Sequence, residues 1–105
     1  MDVRIPPEYL EFIAAHGAVE SFTEGEPGYI ELWLPQDVSG NNRAIQVEEF
    51  APGYLAFAGN GGGEILAFNS QGEVFMLPLI GMAAPYAKKI ANSWSEFVVC
   101  IELPV

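Results

Sequence analysis

Between residues 52 and 79 the chain repeats one pattern: a short apolar run closed by a turn rich in glycine and asparagine. Residues 54–58 (YLAFA), 64–68 (EILAF) and 73–79 (EVFMLPL) are the runs, and residues 59–63 (GNGGG) and 69–72 (NSQG) are the turns. Aromatic and branched residues in short runs fit strands, and Gly/Asn turns allow the positive φ angles of tight hairpins. The expectation is an antiparallel meander, introduced by the Pro52-Gly53 turn.

The flanks read differently. Pro6-Pro7 precedes Glu8, and Tyr9, Phe12 and Ile13 recur at helical spacing. Proline suits the first turn of a helix, glutamate suits its positive end, and Gly17 is a fitting terminator, so residues 8–17 form a helix. Residues 24–28 (EGEPG) are a turn, and residues 29–34 (YIELWL) a strand ended by Pro35. Residues 36–44 are polar, contain Ser39-Gly40-Asn41-Asn42, and are expected to form a loop. Residues 45–50 are compatible with a short helical turn, in a pattern too brief to assign. Residues 81–86 are a loop. Ser93 and Glu96 have the spacing of a capping box. Trp94, Phe97, Val98 and Ile101 follow as an amphipathic helical stripe, and Pro104 comes too late to disturb it. Helix, meander, helix gives an α+β class: an antiparallel-dominated sheet packed with an N-terminal and a C-terminal helix. At 105 residues the expectation is one domain, residues 1–105.

Half the residues are hydrophobic, so a packed core is expected and disorder is not. No apolar run approaches the ~20 residues that span a bilayer. The first residues lack the basic and apolar regions of a signal peptide, so a cytoplasmic protein is expected. Cys100 is the single cysteine, which allows no internal disulfide and suits a reducing compartment.

Fourteen acids against four bases give a net charge of −10. Residues 1–75 carry twelve acids and only Arg4 and Arg43, whereas Lys88 and Lys89 balance Glu96 and Glu102 beyond them. Such a field repels phosphate backbones, so direct nucleic-acid binding is not expected. It attracts a basic partner and speeds encounter with it, although acidity also serves plain solubility.

The candidate chemistry is sparse. The glycine loop lacks a following Lys-Ser/Thr, joins two strands and is followed by Glu64, so it matches neither phosphate-binding fingerprint. It is expected to be a hairpin with at least one positive φ among Gly61 to Gly63. His16 reads as a residue at a helix C-terminus rather than a general base, and Cys100 as an inert thiol. One His and one Cys cannot build an ordinary zinc site, so no metal or cofactor is expected. Glu48 and Glu49 are adjacent and point to different faces. Trp94 reads as core, and Trp33 as either core or an interface anchor.

Taken in order, several segments together resemble the SUKH superfamily. They are residues 7–13 (PEYLEFI), 29–33 (YIELW), 52–57 (PGYLAF), 60–64 (NGGGE) and 90–98 (IANSWSEFV). The chain departs from the family pattern at Glu64, at Trp94, and in the hydrophobic connector 81–86. The resemblance implies a sheet flanked by helices and, for many bacterial members, immunity proteins that neutralise a toxin, often a nuclease. The expected function is therefore non-catalytic binding of a basic protein partner, a toxin domain, with no direct nucleic-acid or membrane contact. The expected contact residues are Glu24, Glu26, Glu31, Trp33, Asp37, Glu48, Glu49, Asn60 and Glu64. A regulatory scaffold, possibly homodimeric, is the alternative; an enzyme with paired carboxylates is a third reading that no spacing supports.

Overall fold

The computed structural model describes residues 3–103. The readings of Met1 and Asp2 and of Pro104 lie outside the described residues. Helix α1 (Pro7–His16) opens with proline in its first turn, and Gly17 follows it with its N–H donating to the Ile13 carbonyl. Strands β1 (Glu20–Phe22), β2 (Tyr29–Leu32), β3 (Leu55–Gly59), β4 (Glu64–Phe68), β5 (Val74–Pro78) and β6 (Lys88–Ala91) form one antiparallel sheet in chain order. Between β2 and β3 lie α2 (Pro35–Ile45) and α3 (Val47–Phe50); after β6 comes α4 (Trp94–Phe97).

The sheet is covered on both faces. On one side, Tyr9 and Ile13 of α1 and Trp94 and Phe97 of α4 pack on Ile30, Phe57, Leu66 and Phe68. Tyr9 is its centre. Its ring meets Trp94 edge-on at 4.8 Å and Phe57 at 5.3 Å, and its hydroxyl donates to the Trp33 carbonyl at 2.7 Å. Burial pushes that phenol well above its ordinary value, so it remains a donor. On the other side, Val47 and Ala51 cover Ala56, Ile65, Ala67 and Leu77.

Three expectations are corrected. Residues 36–44 are not a loop: they belong to α2, where Pro35 starts the helix instead of merely ending a strand. Asn42 explains why polar residues are tolerated there. Its amide donates to the carbonyls of Val38 and Ala56 at 2.7 and 2.8 Å, and its oxygen accepts from the Ala56 N–H at 2.8 Å. The side chain thus stitches α2 to β3. Second, β1 and β6 lie in stretches whose local pattern marks no element. Third, the closing helix is one α turn, Trp94–Phe97, followed by a 3-10 turn, Val98–Cys100. Ser93 accepts from the Glu96 N–H at 3.1 Å as a capping residue should, but Glu96 reaches the Asn92 N–H, at 3.3 Å, instead of that of Ser93. The chain then unwinds so that Ile101 can bridge Thr23 and the Glu102 N–H can bond the Phe22 carbonyl. Of the expected stripe, Trp94, Phe97 and Ile101 are buried and Val98 is partly buried against the same core.

Asn42→Ala is expected to destabilise the fold by about 2–3 kcal/mol, because both polar backbone groups of the fully buried Ala56 lose their side-chain partner. Urea melts measure this; a loss under ~0.5 kcal/mol contradicts the stitching role.

Candidate functional site

Strand β2 alternates: Ile30 and Leu32 are buried in the α1/α4 core, while Tyr29 and Glu31 are partly exposed. Trp33 packs against the cluster beneath α3. Register places Glu31 beside Gly59, Gly59 beside Ile65, and Ile65 beside Leu77. Gly59 supplies no side chain to that row. A groove of about 340 Å³ opens there, lined by Glu31, Trp33, Ile45, Glu64, Ile65 and Leu79 together with glycines of the hairpin.

The hairpin rim is held by Asn60. Its side-chain oxygen accepts from the N–H groups of Gly62 at 2.8 Å and Glu64 at 3.0 Å, and its amide donates to Glu64 Oε1 at 3.1 Å. Gly61 and Gly63 have φ of 71° and 96°, as expected for this turn, and an L side chain is strained at either. Because Asn60 already occupies the N–H groups of Gly62 and Glu64, they are not free for a phosphate. The loop instead fixes the Glu64 carboxylate. Across the groove, Glu31 Oε2 accepts weakly from the Tyr29 hydroxyl at 3.4 Å. Desolvation, and then the charges of Glu20 and Glu31, raise the Tyr29 phenol above its usual value. Glu20 stands directly opposite Glu31 in the β1–β2 register, a like-charge pair that is unfavourable on a sheet.

Four of the expected contact residues therefore converge: Glu31, Trp33, Asn60 and Glu64. The others lie elsewhere. Glu24 and Glu26 flank a separate cleft of about 400 Å³ shared with β6, where Glu26 pairs with Lys88. Asp37 is exposed in the first turn of α2. Glu48 and Glu49 are exposed on α3, and Glu49 accepts from Gln46 at 2.9 Å. Glu73 pairs with Lys89 at 2.6 Å. That bond and one from Asn69 hold its carboxyl below the usual range. Among the described residues, the other carboxylates have no basic partner within 4 Å. Sequence reasoning missed Gly59, Ile45 and Leu79, which meet only through sheet register and the unexpected α2.

Nucleophile chemistry has little here. Burial, then the nearby Glu24 charge, raises the Cys100 thiol above its ordinary value. His16 is exposed and its ring lies against Phe12 at 4.6 Å. Among the described residues, no three His, Cys, Asp or Glu side chains are grouped to hold a metal, and no helix is long and apolar enough to cross a membrane.

The family model described as SMI1 / KNR4 family (SUKH-1) matches residues 1–99. No curated protein matches the chain.

Proposed function

The chain belongs to the SMI1 / KNR4 family (SUKH-1), and from that premise we propose that it is a non-catalytic, cytoplasmic immunity protein that binds and blocks a basic toxin domain. The observation that carries this reading is the groove between β2 and the glycine hairpin, where Glu31 and Glu64 stand without a basic partner beside the apolar surface of Trp33 and Leu79. Interfaces of this kind join an apolar anchor to a charged rim. A nuclease must present positive charge to hold nucleic acid, so an acidic protein can occupy the same surface. Among the described residues no nucleophile is hydrogen-bonded to an oriented base, and the binding reading needs none.

Affinity capture from the native host with the intact chain, followed by co-expression of the captured protein with and without it, tests the reading. Recovery of a basic protein whose toxicity the chain suppresses is the expected result. An acidic partner, or none, counts against it.

A regulatory scaffold, possibly homodimeric, is the second reading. It is favoured by Ile80, 93% exposed, next to Leu79 in the chain, and by Phe22, 65% exposed. A concentration-dependent dimer in sedimentation, with no captured partner, would support it.

A further inference from the structure

The groove is narrower in its implications than a general acidic surface. Its volume, about 340 Å³, is at the low end for ligand sites and suits one long side chain rather than a helix or strand. Its walls are apolar at Trp33, Ile65 and Leu79, and its charge is confined to Glu31 and Glu64. Asn60 orients the Glu64 carboxylate without neutralising it, and Glu31 has only a weak neutral neighbour, the Tyr29 hydroxyl at 3.4 Å. Lys88 is paired with Glu26, Lys89 with Glu73, and Arg43 donates to the Ser39 hydroxyl at 3.1 Å, while Arg4 is exposed and makes no ion pair with a described residue, so none of the four bases is paired with Glu31 or Glu64. The opposed charges of Glu20 and Glu31 gain relief from a cation placed beside them.

We propose that this groove is a socket for a single arginine side chain of the basic partner, its guanidinium between Glu31 and Glu64 and its stem on Trp33 and Leu79. The proposal rests on reading the chain as a binder of a basic protein. Arginine fits better than lysine for two physical reasons. A guanidinium is a planar fork whose several N–H groups can serve two carboxylates at once, whereas an ammonium is a compact, strongly hydrated point charge. A guanidinium also lies favourably on an indole face, and its aliphatic stem covers apolar surface.

Gly59 offers a clean test. Its φ is not in the left-handed region, and a Cβ there would meet only the Glu64 carbonyl, at 3.9 Å. Gly59→Val therefore adds bulk to the groove without changing the charge, and a branched residue suits a strand. The probes are Nα-acetyl-arginine methylamide and its lysine counterpart, titrated into ¹⁵N-labelled protein. Arginine is expected to shift the Trp33 indole and the Gly61 and Gly63 amides, with lysine binding more weakly. Gly59→Val and the isosteric pair Glu31→Gln with Glu64→Gln are each expected to weaken arginine binding by about tenfold or more. Glu11→Gln, at an exposed position of α1, is expected to leave it unchanged. Shifts spread evenly over Glu24, Glu48 and Glu64, equal response to lysine, or full binding by the Glu31/Glu64 variant would overturn the socket. In complex with a captured basic partner the same variants separate the two claims. Undiminished affinity in the Glu31/Glu64 variant sinks the socket and leaves the binding role standing, whereas failure to capture a basic protein sinks the role but not the titration result.

Discussion

Trp94→Ala is expected to remove about 3–5 kcal/mol of stability. A domain of this size has only about 5–15 kcal/mol in total, so the variant should be marginal or unfolded at physiological temperature. Trp94 is 3% exposed, and its ring lies edge-on to Tyr9 at 4.8 Å, to Phe12 at 5.3 Å and to Phe57 at 5.8 Å. These contacts join the first helix, the last helix and the centre of the sheet. Removing the indole leaves a cavity between three elements that the sheet, held in register on both sides, cannot collapse to fill. Phe97→Ala, on the same stripe, should cost a similar amount. Urea melts decide both; a loss below ~1 kcal/mol for either would mean that the closing segment does not hold the core.

The meander was legible because its signal is local. Tight turns such as residues 59–63 and 69–72 leave the intervening runs little choice but to pair with their neighbours. The first helix was legible for the same reason, since Pro7, the Tyr9–Ile13 stripe and Gly17 mark its start, face and end. Helix α2 was not, because its stability is tertiary: Val38 is its only buried residue, and Asn42 is helical on account of a bond to β3 that no local pattern reveals. A clue was present in β4, where residues 65–68 (ILAF) are apolar without alternation, and all four are buried. A strand buried on both faces requires cover on both, which the two terminal helices could not supply. Edge strands β1 and β6 are short and carry charge, Glu20, Lys88 and Lys89, which masks them in sequence while discouraging unwanted pairing. Within the site, Glu31, Trp33, Asn60 and Glu64 could be singled out by residue type. That Glu31, Trp33 and Glu64 line one groove with Asn60 holding its rim, while Glu26 is paired with Lys88, follows from sheet register and from a sheet curled enough to bring the β1–β2 turn near β6.

The second large effect concerns association with the proposed basic partner. Eighteen charged side chains carry a net charge of −10, and among the described residues four of them are in ion pairs, Glu26 with Lys88 and Glu73 with Lys89. A field of that kind steers an oppositely charged protein before contact, so its influence falls on the on-rate. Raising salt shortens the Debye length from roughly 10 Å at 0.1 M to about 3 Å at 1 M and removes the steering. Dissociation is expected to respond less, since contacts made in the proposed socket would be desolvated. Charge reversal at the exposed Glu24, Glu48 or Glu49 is expected to lower the on-rate. Glu31→Lys or Glu64→Lys is expected to raise the off-rate as well, since these two carboxylates line the groove.

Stopped-flow association of the intact chain with the captured partner, across a salt series, tests the central claim most directly. The predicted result is an on-rate that falls on the order of 10- to 1,000-fold from low to high salt, with an off-rate that changes far less. An on-rate that does not depend on salt would contradict an acidic protein recognising a basic one.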